Sequence, residues 1–328
     1  MNRSMQRDYS IDILKFLAVF LIINSHMDAL YPSQYKILAT GGAIGDCLFL
    51  FCSGYTLLLS KRQLRFDNWY KQRIKRIYPS VIVCAIIGSL LTFSNSISIM
   101  TLCGGEFILA IMSYYILIFL IKKFAIKNIP WFLISTYIIS LLVYILFFPY
   151  KYETGEKGIY GITTLYRWLP YFSFMLFGAW IGLKHNTIKY NTIKDFSKMM
   201  ICLILFYGIQ FISTKIKIIA PYQIVTLVPL LGVVYYFYKW CNAKFWRRLY
   251  NSKYGHVLVM TISGLCLESY LIQYSVFTNK MNSIFPLNLP IMVIIVLFTS
   301  FLCKCLSRMF SQTFSNEDYK WKEIFKLY

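Results

Sequence analysis

The chain of 328 residues is 58% hydrophobic, 19% aromatic and only 14% charged, with a mean hydropathy of +0.57. Soluble domains carry about 25% charged residues; here the deficit runs the whole length of the chain, which excludes an ordinary soluble enzyme. The formal charge of +21 would suggest nucleic acid in a soluble protein. In a chain this apolar it points instead to the Lys and Arg that membrane proteins hold on their cytoplasmic face, so no nucleic-acid partner is expected.

Apolar runs fall at 11–30, 41–60, 79–95, 99–121, 129–149, 168–183, 199–213, 218–238, 257–278 and 287–303. Most reach the roughly 20 residues a spanning helix needs. The expected fold is therefore all-α, a polytopic bundle of about ten transmembrane helices forming one membrane-embedded domain over 1–328. Between the runs the basic residues alternate. The N-terminus, the even-numbered connections and the C-terminal tail hold 26 Lys and Arg; the odd-numbered connections hold 7. That asymmetry predicts both termini inside, in a multi-pass protein of the inner or plasma membrane. The first run is long and lacks an A-x-A-like exit, so it is expected to stay as a span rather than be removed as a signal peptide.

Nine cysteines sit mostly in apolar runs, with no C-x-x-C, and read as small core residues. The three histidines form no metal-ligand pair, so no metal site is expected. Ionisable residues inside spans are costly and tend to mark a site. Those present are Asp12, Lys15 and His26 in the first run, Asp46 in the second, Glu106 in the fourth and Glu268 in the ninth. Lys15 and His26 are eleven residues apart, hence on one helix face and about 16 Å apart along the axis. His26, Asp46 and Glu106 come from three helices at similar depth, and a histidine near carboxylates suits general-base work.

The second connection reads KRQLRFDNWYKQRIKRIYP. Arg73 and Arg76 share a helical face just before Pro79, and arginine suits phosphate recognition. Lys61, Arg62 and Arg65 read as a basic loop facing anionic lipid headgroups.

Several motifs in order resemble the acyltransferase-3 family of bacterial membrane acyltransferases. They are Lys15 and His26 in the first helix; GDCLFLFCSGY from Gly45 to Tyr55, which contains Ser53; RIKRIYP from Arg73 to Pro79; LPYFSFMLFGAWIG from Leu169 to Gly182; and SYLIQ from Ser269 to Gln273. Lys15 stands where the family usually has Arg, and Gln273 where it often has His. The resemblance implies transfer of an acyl group, commonly acetyl from acetyl-CoA, to a hydroxyl of a surface polysaccharide or glycolipid. For that attack His26 is the natural base, and Asp46 and Glu106, at similar depth, are the candidate carboxylates near it. Lys15, Arg73 and Arg76 would serve the acyl-CoA donor, a substrate rather than a resident cofactor, and Ser53, Glu268 and Gln273 are further site candidates. Two other classes stay open on the residues alone. One is a glycan or lipid-linked sugar transporter, which predicts repeats and broken helices; the other is a membrane-embedded glycosyltransferase. Tyr and Gly in the fifth connection, 150–167, suit either sugar stacking or an interface belt.

Overall fold

A computed structural model describes residues 8–59, 65–93, 97–147, 158–160, 165–216 and 218–328. Lys61, Arg62 and most of the fifth connection lie outside these residues. The described residues form helices joined by turns and loops, with no strand among them. In chain order the α-helices are α1 (Tyr9–Ser25), α2 (Gly42–Leu59), α3 (Phe66–Leu91), α4 (Ile99–Leu102), α5 (Gly105–Phe124), α6 (Ile129–Phe147) and α7 (Trp168–Lys184). They continue as α8 (Thr192–Lys215), α9 (Leu227–Trp240), α10 (Lys244–Asn251), α11 (Lys253–Gly264), α12 (Cys266–Val276), α13 (Asn288–Thr313) and α14 (Trp321–Ile324).

Each apolar run coincides with a helix or a helix pair. Among the described residues seven helices are long and apolar enough to cross a membrane, and α11 with α12 makes an eighth if the bent pair is one span. α1 and α7 are shorter, with 17 residues each. Apolar side chains such as Leu90, Ile145, Ile204 and Phe298 remain largely exposed on these helices. Such faces are unfavourable in water and suit lipid, so the chain is a membrane protein.

Several helices differ from the apolar runs. α3 starts at Phe66, before the run at 79, because the basic stretch ahead of it is itself helical; Asp67 sits in its first turn and opposes the helix dipole. Pro79 lies inside this helix, a position that membrane helices tolerate because neighbours compensate the lost donor. α13 runs on to Thr313 past the run's end at 303, since Lys and Arg are good helix formers. The fourth run is cut into α4 and α5 by Gly104 and Gly105, whose φ angles of 85° and 73° favour glycine. The ninth run bends by 68° between α11 and α12.

The chain divides into two compact units, Met1–Leu14, Asp46–Arg62 and Leu120–Arg248 in the first, and Lys15–Gly45, Gln63–Phe119 and Leu249–Tyr328 in the second. In the first, the Asp8 carboxylate accepts from the Ser10 amide at 3.0 Å, which caps α1, and from the Tyr55 hydroxyl at 2.6 Å. Asn191 caps α8 by accepting from the Lys194 amide at 3.0 Å. Buried Asp195 pairs with Lys239 of α9 at 2.6 Å. The tightest packing is between α2 and α7. A Cβ at Gly54 would stand 1.9 Å from the Met175 carbonyl oxygen, and one at Gly178 2.0 Å from that of Phe51. Gly178 and Gly182 are four apart, the small-residue spacing that brings membrane helices together.

In the second unit α3, α12 and α13 pack on one another. The loop after α1 is held from α13 and the turn before it. The Asn288 side-chain amide donates to the Leu30 carbonyl and that of Asn282 to the Ala29 carbonyl, each at 2.9 Å. Seven of the nine cysteines are buried and Cys103 and Cys202 are half-buried, all with free thiols.

The α2–α7 contact yields a test. Gly178→Val forces two backbones apart, and we expect a loss of at least 1–3 kcal/mol, roughly the cost of overpacking, read as a lower melting temperature in detergent. Gly208→Ala, where a Cβ meets nothing within 4 Å, should melt like the parent.

Candidate active site

His26 is the first residue beyond α1, and its amide still donates to the Ile23 carbonyl at 3.2 Å. The side chain is half-buried. The hydroxyl of Tyr274, on α12, lies 2.6 Å from its Nδ1, and the two rings are 4.7 Å apart between centroids. The same hydroxyl is 3.3 Å from Nε2, so it stands against the edge of the ring that carries both nitrogens. Tyr274 also lines a cavity of about 360 Å³ between α3, the α4–α5 break and α12. Its walls include Gly88, Thr101, Gly104, Gly105 and Tyr270. A Cβ at Gly88 would stand 2.7 Å from the Ser275 hydroxyl, so that side chain would have to turn away. Glu106 follows the glycine pair at the start of α5 and is exposed. Its neighbour Phe107 packs on Tyr270 at 4.4 Å between ring centroids, which ties the start of α5 to α12.

A second cavity, about 330 Å³, opens at the opposite end of α3's lining face. Lys75, Arg76 and Ser80 of α3 face Lys304 and Arg308 of α13 across it, with Glu323 at its edge. Glu268, fully buried in the first turn of α12, closes the adjoining interior. One of its carboxylate oxygens accepts from the Ser80 hydroxyl at 2.6 Å and from the Lys304 ammonium at 2.8 Å. The other oxygen is buried with no hydrogen-bond partner. The bend ahead of α12 places a helix N-terminus inside the bundle, where its dipole favours this carboxylate. Along α3, Cys84 comes next and packs with Ile272 and Cys303, so a layer of side chains stands between the basic cleft and the cavity that Tyr274 lines. Arg76 and Gly88 are twelve residues apart in α3, about 18 Å along a helix.

The remaining predicted residues occupy varied surroundings. Arg73 does not line the cleft; its guanidinium lies 4.5 Å from the centroid of buried Trp69 and 5.7 Å from that of Tyr115, a cation–π setting. The structure thus gives Arg73 and Arg76, three residues apart, different surroundings. Gln273 is fully buried, with its amide nitrogen 3.4 Å from the Tyr270 carbonyl and its side-chain oxygen unpartnered. Lys15 is half-buried on α1. Asp46 and Ser53 belong to the first unit, half-buried on α2. Among the described residues no group of three or more His, Cys, Asp or Glu is placed to hold a metal.

Four residues of these sites were not singled out by the sequence reading: Tyr274, Ser80, Lys304 and Arg308. Tyr274 directly follows SYLIQ, a signal too short to separate it from the many other tyrosines. Lys304 and Arg308 read as tail residues because the apolar run ends at 303; their four-residue spacing was the available clue to a shared helix face.

The model of the acyltransferase-3 family, described as an acyltransferase domain, matches residues 8–308. No curated protein and no solved structure matches the chain.

The Glu268–Lys304 pair makes a stability prediction. Lys304→Met leaves a buried carboxylate without its cation and should cost about 3 kcal/mol, the low end for a broken buried pair because Lys304 keeps some exposure. Adding Glu268→Gln should restore most of the melting temperature. An unchanged melt for the single variant would show that the pair contributes nothing.

Proposed function

Since the chain belongs to the acyltransferase-3 family, we propose that it moves an acyl group, acetyl in the first instance, from acyl-coenzyme A to a hydroxyl of a cell-surface polysaccharide or glycolipid. The observation that carries this reading is the contact of His26 with the hydroxyl of Tyr274, a residue that lines a cavity of about 360 Å³. His26 takes the proton of the acceptor hydroxyl as its oxygen attacks the thioester carbonyl. The tetrahedral adduct collapses, the C–S bond breaks, and the thiolate of coenzyme A takes the proton back from His26. Tyr274 is a positioning residue, since it holds the ring. The donor's phosphates lie in the basic cleft against Arg76, and its thin arm reaches His26 by displacing the side-chain layer of Cys84, Ile272 and Cys303 that separates the cleft from the cavity. Lys15, from the resemblance, and Asp46 and Glu106, from their depth in the spans, are kept as site residues. Arg73 braces the helix that presents Arg76 through its contacts with Trp69 and Tyr115.

The protein sits, in this reading, in the inner or plasma membrane with ten crossings and both termini in the cytoplasm. The ten apolar runs, each helical, and the 26-to-7 split of basic residues support that topology. The family model runs through segments of both compact units, which supports one acyltransferase domain. The bent α11–α12 pair and the α4–α5 break are features a transporter would share, but no internal repeat accompanies them in the sequence.

Two measurements test this. Purified protein with radiolabelled acetyl-CoA and a glycan acceptor should transfer label. His26→Ala should bind donor and lose roughly 10²–10⁴-fold in turnover, the usual contribution of a positioned base. Tyr274→Phe should lose turnover while keeping donor affinity. Full activity in a folded His26→Ala protein would remove the mechanism. For topology, single cysteines in a cysteine-free background should respond oppositely. One at Asn251 should react only with membrane-permeant reagent, and one at Lys280 with impermeant reagent as well; both positions are exposed. Reversed labelling would overturn the orientation and place the basic cleft outside.

A further inference from the structure

The basic cleft has two walls. Only one of them was expected to bind phosphate. Arg76 and Lys75 stand on α3; Lys304 and Arg308 stand on α13, four residues apart and so on one face. We propose that α13 supplies the second half of a polyphosphate site, with Lys304 and Arg308 binding the phosphates of the donor nucleotide opposite Arg76. This deepens the acyl-coenzyme A reading and rests on it.

Both α13 cations are held in place before any ligand arrives. Lys304 gives one N–H to Glu268 at 2.8 Å and keeps 27% of its side chain exposed, while the ammonium has three donors to offer. Its remaining donors therefore serve the cleft that it lines. Arg308 donates from one terminal nitrogen to the Ile324 carbonyl at 3.1 Å and to that of Lys326. Ile324 is buried, so the C-terminal segment is anchored and acts as a brace for the guanidinium. A planar guanidinium gripped from one side presents its other N–H groups in a fixed fork, the geometry that recognises phosphate. Holding the side chains beforehand lowers the ordering cost of binding.

The charge balance agrees. Lys75, Arg76, Lys304 and Arg308 oppose one carboxylate at the edge, Glu323, and Glu268 below neutralises Lys304. An excess of positive charge remains, which a diphosphate with a further phosphate would satisfy and a neutral sugar would not. The cleft's volume of about 330 Å³ lies within the usual range of small-molecule sites. An anionic lipid headgroup shares the phosphate chemistry, so the experiment separates the two sources.

Full-length protein in phosphatidylcholine nanodiscs would be titrated with coenzyme A and with 3′,5′-adenosine diphosphate. The variants are Arg76→Ala; Arg308→Gln, which keeps an amide donor for the tail carbonyls; and Lys304→Gln with Glu268→Gln, which spares the fold an unpaired buried charge. Melting temperatures establish that each is folded. We expect both α13 variants to weaken both ligands by about 10–100-fold, the scale of a lost charge-assisted hydrogen bond, and added salt to weaken the parent. If Arg76→Ala weakens coenzyme A while the α13 variants bind like the parent, the second wall is wrong and the donor reading stands. If the parent binds 3′,5′-adenosine diphosphate but not coenzyme A, the donor reading falls while the anion site stands. If phosphatidylglycerol nanodiscs abolish nucleotide binding in the parent but not in Arg308→Gln, the cleft belongs to a lipid headgroup and the proposal is overturned.

Discussion

A carboxylate buried in an apolar bundle must be paired, and the pairing of Glu268 organises the second unit. Its partners come from two other helices, Ser80 of α3 and Lys304 of α13. Three helices are thereby held at one point by directional contacts, where lipid-facing apolar packing alone would leave rotation and sliding free. The breaking of α11 from α12 makes this possible, since it brings a helix N-terminus to the carboxylate. Everything proposed for the site follows from this point. On one side the lining face of α3 meets the basic cleft; on the other it meets the cavity that Tyr274 shares.

The same contact explains why the two basic walls face each other. α3 and α13 both extend beyond their apolar stretches, from Phe66 and to Thr313. Each carries Lys and Arg on its polar extension, and antiparallel placement at Glu268 brings the start of α3 to the end of α13, so those extensions meet. Like charges held this close repel, so the cleft keeps Glu323 at its edge and the tail carbonyls on Arg308. It is suited to an anionic guest for the same reason.

The first unit has a different logic. Its α2 and α7 meet backbone to backbone through Gly54, Gly178 and Gly182, and polar contacts occupy the helix ends. These include Asp8 with Tyr55 and Asp195 with Lys239. The glycine-containing stretch from Leu169 to Gly182, which belongs to the family resemblance, is thus explained by helix contact rather than by chemistry.

What the chain's residues determined by themselves was the class: ten apolar stretches, all helical, too hydrophobic for a soluble protein, with a basic bias that alternates between connections. They also determined the family, because His26, Arg76 and the glycine motifs stand in order at fixed spacings. Local composition suffices for both, since each depends on residues near one another in the chain. Tertiary structure alone decided the neighbourhoods. Arg73 and Arg76 are three residues apart, yet one is engaged by Trp69 and Tyr115 and the other lines the cleft. Tyr274 reaches His26 across 248 residues, and Lys304 reaches Glu268 across 36. Hydropathy gives a residue's depth along a helix but not the direction in which its side chain points. That direction is set by how neighbouring helices pack, which is why the partners of His26 and Glu268 were invisible until the helices were placed.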